Sequence, residues 1–300
     1  MKLALGTVQF GLPYGITNRA NARVSDGQIE KILSYAYSKG IHTLDTASEY
    51  GVSETILGKI IETQPSLEFS IITKTPRIQE KKILPRHVVL VEEKFAQSCS
   101  NLQQNHLYGL MVHDSADLLA DGGDRIVEKL LSLKAQKKIK KWGCSFYNPE
   151  DLFSVLEKFD LDIVQLPLNL FDQRFVQEGA LAYLEAKKIE IYARSVFLQG
   201  LLLTHAQKLS SINMSRAQPY MNHLDEICSE NGISRLALII AFMRQFSNCQ
   251  FVMGFNGVFE LEEVFEQIEK MDVGKKIDFS SLSVSDLQII NPTFWKNKNQ

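Results

Sequence analysis

Cysteine is scarce and scattered in this chain. Cys99, Cys144, Cys228 and Cys249 are spread over 300 residues without a Cys-x-x-Cys pair. That pattern excludes the ligand spacing of a zinc ribbon and a disulfide framework, and it predicts a reducing, cytoplasmic setting. Excess charge of one sign is lacking too. Thirty-three Lys and Arg face 35 Asp and Glu, for a net charge of -2, so no basic stripe for nucleic acid is expected. The one basic run, Lys137-Lys138-Ile139-Lys140-Lys141, reads as a helix end followed by a solvated turn. No stretch approaches the ~18 consecutive apolar residues of a membrane helix. Met1 to Leu5 runs straight into a Gly-Thr turn, without the long apolar stretch and small-residue cleavage site of a secretory signal. No Pro/Gly/Ser-rich linker divides the chain. His42, His87, His106 and His113 form no compact metal-ligand motif, so no metal is expected.

What is present is alternation. Hydrophobic residues make up 45% of the chain, ample for a large core. Eight short apolar runs read as buried strands: 3–6, 42–45, 69–73, 107–113, 141–145, 163–166, 190–194 and 251–254. They are continuous rather than alternating, as parallel strands covered on both faces must be. Between them lie amphipathic segments. Ile29, Ile32, Leu33 and Ala36 repeat at helical spacing after Ser25-Asp26, a cap candidate. Leu152, Val155, Leu156 and Phe159 repeat it, as do Leu261, Val264, Phe265 and Ile268. Further helices are expected near 52–62, 85–101, 121–137, 176–187, 219–231 and 234–245. Eight strand–helix units predict one (β/α)8 barrel over residues 1–300. An open doubly wound sheet is the rival, weakened because Gly-x-Gly-x-x-Gly is absent after the first strand. Residues 199–218 read as an irregular excursion after strand seven. Residues 280–300 read as a tail packing on the barrel, docking Phe294 and Trp295.

In such a barrel the reactive groups stand at the C-terminal strand ends. There the sequence offers Asp45, with Tyr50 in the following loop, then Lys74 and His113. Alone, each has a bland alternative: a cap for Asp45, a loop aromatic for Tyr50, an exposed strand end for Lys74, a structural histidine for His113. Their convergence on one rim is what suggests a site, since perturbed ionisable groups gather where chemistry is done. Glycine turns after strands seven and eight, Arg194 to Gly200 and Val252 to Gly257, suit an anion near the helix start at Val258.

Asp-x4-Tyr, then Lys 24 residues later and His after another 39, resembles the aldo-keto reductase superfamily. So do the opening Leu5-Gly6-Thr7, the segment Asp45 to Gly51, Gly143-Cys144-Ser145, Val164-Gln165, and Ala193-Arg194-Ser195 through Leu202. The resemblance implies reduction of an aldehyde or ketone with a hydride from NADPH or NADH. Tyr50 would be the general acid, Lys74 would favour its phenolate, Asp45 would hold Lys74, and His113 would orient the substrate oxygen. Gly6, Thr7, Ser145, Gln165, Arg194, Ser195, Phe197, Gln199, Gly254, Asn256 and Glu263 would bind the cofactor. Val8, Phe10 and Tyr14 would join Tyr50 and His113 around a small carbonyl substrate, a sugar-derived one by analogy. Three positions depart from the commoner pattern: Phe146 for Asn, Val264 for an adenine-binding Asn, and Glu260 for an Arg that favours NADPH. Cofactor preference therefore stays open at this level. So does a non-catalytic, cofactor-binding sensor on the same fold, or a different barrel enzyme.

Overall fold

The computed structural model describes residues 1–16, 18, 21–270 and 277–295. Eight strands form a closed, all-parallel barrel in sequence order. They are β1 (Lys2–Gly6), β2 (Thr43–Asp45), β3 (Ser70–Lys74), β4 (Leu107–Val112), β5 (Ile139–Ser145), β6 (Ile163–Pro167), β7 (Glu190–Arg194) and β8 (Cys249–Met253). Closure is made by β1 against β8, with Leu3 opposite Phe251 and Leu5 opposite Met253.

Strand residues alternate between the barrel interior and the helix layer. Ala4, Ile72, Met111, Ile163, Tyr192 and Val252 form one buried cluster. A far larger cluster, including Leu5, Leu44, Ile71, Leu110, Cys144, Val164 and Ile191, packs against the helices. The period of two then fixes the rim. Two residues beyond each member of the smaller cluster stand Gly6, Lys74, His113, Gln165, Arg194 and Gly254. The pleat that fills the barrel therefore also aims these six into its C-terminal mouth. At the opposite mouth a polar plug closes the barrel. The Tyr108 hydroxyl donates to Glu190 at 2.9 Å, Lys141 pairs with the same carboxylate, and Gln250 Nε2 donates to the Tyr192 hydroxyl at 3.0 Å.

Three helix expectations need correction. The segment 176–187 is two pieces, Arg174–Gln177 and Ala180–Ala186, broken at Gly179 with φ +70°. The segment 121–137 begins only at Asp124, after a short turn Ala116–Leu119. Ser25 occupies the cap position of Asp26–Ser38, but its side chain makes no capping hydrogen bond. Residues 198–217 are irregular as expected, carrying a chain of 3₁₀ turns. The tail is tied to the barrel by Val284 N–H on Phe171 O at 2.8 Å and Gln173 Nε2 on Phe279 O at 2.7 Å. Trp295 packs against the core, whereas Phe294 stays 57% exposed. The expected tail continues to residue 300, and 296–300 lie outside the described residues. No helix among the described residues is long and apolar enough to cross a membrane.

Candidate active site

The loop bearing Tyr50 is placed by glycine. A Cβ on Gly11 would stand 1.7 Å from Tyr50 O, and one on Gly51, at φ +54°, would stand 2.6 Å from Gly11 O. Only bare backbone lets the short helix Val8–Gly11 and this loop touch. The same contact brings Ser53 Oγ to Thr7 O at 3.0 Å, while Thr7 Oγ1 donates to Asp45 O at 3.0 Å.

Under this loop lies a buried ion pair. Lys74 Nζ donates to Asp45 Oδ1 at 2.7 Å and to Thr46 O at 2.9 Å. The two side chains are only 1% and 6% exposed. Gln165 Nε2 donates to the same Oδ1 at 2.8 Å. Burial pushes the Lys74 ammonium's pKa down, and Asp45 opposes that shift. Lys74 Nζ lies 5.2 Å from the centre of the Tyr50 ring, a cation–π distance. Burial, then the Asp45 charge, raises the Tyr50 pKa above the usual phenol value. Opposing contributions come from Arg194 and Arg77. His113 completes the group, its ring centre 6.0 Å from that of Tyr50 at 79°.

His113 has partners that the sequence pattern did not supply. Arg77 Nη2 lies 2.8 Å from its Nε2. Its Nδ1 is 3.2 Å from Glu49 Oε2, a contact that becomes an ion pair only when the imidazole is protonated. Burial lowers the imidazole's pKa to about 4. Burial would raise Glu49, but His113 and Arg77 outweigh it and hold its pKa at about 2.

All these groups except Lys74, which lies just beneath, line one cavity of about 1310 Å³. Small-molecule sites run to ~300–1,000 Å³, so this one has room for an extended ligand and a second, smaller one. Val8, Tyr14, Ser145, Tyr147 and Arg194 face it near Tyr50. The Arg194 guanidinium covers the Tyr147 ring at 4.1 Å and donates to Phe146 O at 3.1 Å. From there the cavity runs past Ser195, Phe197 and Gln199 to Gly254, Asn256, Glu260 and Glu263. Ser195, Leu198 and Gln199 all have positive φ, a strained backbone of the kind that clusters at ligand sites.

A model of the aldo/keto reductase family matches residues 2–282. The chain belongs to this family. Curated relatives include the D-arabinose 1-dehydrogenase of Saccharomyces cerevisiae, 28% identical over 44% of this chain and 40% of that one. The D-threo-aldose 1-dehydrogenase of a Pseudomonas species is 26% identical over 66% of this chain and 69% of that one. The first match thus spans less than half of the yeast enzyme. Among solved structures, the aldo-keto reductase AKR11C1 from Bacillus halodurans, in its holo form, aligns with TM-score 0.70 at 15% identity. The alignment covers 90% of this chain and 87% of that one, and it speaks for the fold alone.

For a chain of this family, one expected site residue is displaced. Phe10 is fully buried in the core, because it lies on the inner face of Val8–Gly11, and it does not line the cavity. Phe146 likewise points into the core and offers the site only its carbonyl. Sequence reasoning missed Glu49, Arg77, Tyr147 and Phe259. The last is 62% exposed beside Asn256 and Glu260. Glu49 sits inside the quoted Asp45 to Gly51 segment, but neither Arg77 nor Tyr147 carries a local motif. Their one signal was position, two or three residues beyond a strand end.

Proposed function

We propose that this chain is an NAD(P)H-dependent oxidoreductase that interconverts an aldehyde or ketone and its alcohol. The observation that carries the reading is the convergence of Asp45, Lys74, Tyr50 and His113 at one end of a cavity continuous with the turn at residues 254–257. Three features of the residues suit a dinucleotide. A Cβ at Gly254 would fall 2.0 Å from Gln9 Oε1, so the glycine leaves the end of the Gln9 side chain room at the cavity floor. Gln9 Oε1 is itself buried without a partner, an acceptor suited to a ribose hydroxyl. The helix Val258–Lys270 begins beside that turn, where its dipole favours an anion.

When bound, the nicotinamide supplies or accepts the hydride. The protein supplies position and polarity. Ser145 and Gln165 would hold the carboxamide, and Arg194 would present its planar guanidinium to the ring. Gly6, Thr7, Ser195, Phe197 and Gln199 would line the path of the phosphates, and Asn256 and Glu263 would meet the adenosine end. Tyr50, kept protonated by burial, would donate its hydroxyl proton to the carbonyl oxygen during reduction. Lys74, held by Asp45, keeps a positive charge beneath the ring. Val8, Tyr14 and Tyr147 would wall the substrate. Two relatives are named for sugar substrates, and the polar lining here suits a hydroxylated carbonyl compound.

Cofactor preference is proposed from Glu260. Its carboxylate accepts from Asn256 N–H at 2.6 Å and stands at the cavity wall. No Lys or Arg occurs between Gly254 and Val264. A 2′-phosphate would meet this carboxylate, so NADH should bind at least as tightly as NADPH. Fluorescence titration with both, followed by a carbonyl panel with the tighter one, checks the reading. Binding of neither cofactor would reject it.

A further inference from the structure

On the reductase reading above, we propose that Arg194 selects the redox state of the bound cofactor, its unpaired guanidinium favouring the neutral reduced nicotinamide over the positively charged oxidised one. Around Tyr50 the other charges cancel in pairs. Lys74 lies 2.7 Å from Asp45, and Arg77 lies 2.7 Å from Glu49. Burial keeps His113 neutral at pH 7. On the rim, Asp114 and Asp151 are turned to their own loops. Asp114 accepts from Ala116 N–H at 3.1 Å and from Gln79 Nε2 at 3.3 Å. Asp151 accepts from Ser115 Oγ and Asn148 Nδ2, both at 3.3 Å. Arg194 pairs with no carboxylate among the described residues. Its Nη2 donates to Phe146 O at 3.1 Å, its Nη1 donates to Ser195 Oγ at 3.2 Å, and its plane covers the Tyr147 ring at 4.1 Å. Those partners are neutral, so the whole charge remains.

That charge is held at the reacting end of the cavity. Arg194 closes β7, two residues beyond the Tyr192 that fills the barrel. Its carbonyl accepts from Leu168 N–H at 3.1 Å, and Asn169 Nδ2 donates to Ser195 O at 3.1 Å, so the backbone is fixed on both sides. Register sets Arg194 against Pro167 and Ser145 against Gln165, making one wall of the side chains that would meet the nicotinamide. Burial dominates the pKa values of Tyr50, Tyr14 and Lys74, and the Arg194 charge pulls all three downward. A hydride donor must come within ~3–3.5 Å of a carbon whose oxygen faces Tyr50, and a ring so placed lies inside the reach of the same charge. Reduction moves a hydride, with its two electrons, from the dihydronicotinamide to the carbonyl carbon, and a proton from Tyr50 to the oxygen. The ring that gave up the hydride is left positive. A permanent guanidinium charge opposes that change. The oxidised cofactor is thereby bound more weakly, and the equilibrium on the protein leans towards carbonyl and reduced cofactor.

Titrations of the wild type and Arg194→Met with both redox forms of the cofactor test this. Whichever of NADH and NADPH binds more tightly is compared with its own oxidised form. The wild type should favour the reduced form. Arg194→Met should shrink the ratio of the two dissociation constants by about tenfold or more, the scale of two unit charges several Å apart in a partly buried site. Arg194→Lys should keep most of the ratio. One probe needs no variant: the corresponding dinucleotide with benzamide in place of nicotinamide keeps the carboxamide but carries no ring charge. The wild type should bind it about tenfold or more tightly than the oxidised cofactor. An unchanged ratio in Arg194→Met, or an analogue that binds no more tightly than the oxidised cofactor, would overturn the proposal. Failure of the wild type to bind either reduced cofactor would instead remove the reductase reading, and the role of Arg194 with it.

Discussion

Lys74 shows how much one side chain can carry here. Its ammonium is buried at 1% exposure and donates to Asp45 Oδ1 and Thr46 O. Burial of an ion pair offsets much of its own Coulomb gain, but removing one partner strands the other charge. Lys74→Met would leave the Asp45 carboxylate with Gln165 alone. We expect a loss of about 3–5 kcal/mol in denaturant melts, together with loss of turnover. A variant within about 1 kcal/mol of wild type would show that the buried Asp45–Lys74 pair contributes little to the stability of the fold. Tyr50 is governed differently. Burial is the largest influence on its phenol and raises its pKa, ahead of the Asp45 charge.

At the scale of the element, what mattered was legible as periodicity. The eight apolar runs became eight strands because a doubly covered parallel sheet needs continuous hydrophobicity. Their period of two then carried Lys74, His113, Gln165 and Arg194 to the inner rim. Breaks were harder to see. Gly179 splits one expected helix because a left-handed residue cannot continue it, yet the apolar spacing runs on through it. Phe10 was misjudged because a four-residue helix is too short to show which face is buried. Arg77 and Tyr147 stayed hidden because loop residues are placed by tertiary partners, Glu49 and His113 for one and Arg194 for the other. The glycine contact between Val8–Gly11 and the Tyr50 loop can be tested at this scale. Gly11→Ala would push a methyl to 1.7 Å from Tyr50 O. The loop must shift, at a cost of about 1–3 kcal/mol, and kcat should fall further than stability does. Wild-type turnover in Gly11→Ala would show that the placement of Tyr50 tolerates this loop's movement.

Across the whole molecule, the two mouths of the barrel divide the work. The N-terminal mouth is closed by the Glu190 plug, and the C-terminal mouth is an open cavity lined by strand ends, the 3₁₀ excursion and the tail. The open mouth also makes stability depend on pH. His113 falls from an ordinary 6.5 to about 4 on folding, so between those values the unfolded chain binds the extra proton. Stability should therefore drop as pH falls through that window. Glu49, lowered from 4.5 to about 2, continues the loss in the same direction at lower pH. Urea melts across this range should show it, and His113→Gln should flatten the upper part. An unchanged slope in that variant would contradict a buried, neutral imidazole.

Tyr50 is proposed to deliver its proton at the site that would hold a nicotinamide cofactor. Single-turnover oxidation of the bound reduced cofactor, compared between wild type and Tyr50→Phe, tests it most directly. Tyr50→Phe should keep its cofactor affinity and lower the rate by about 10²–10⁴-fold, the usual worth of a general acid. A phenylalanine variant that oxidises its cofactor at the wild-type rate would contradict it.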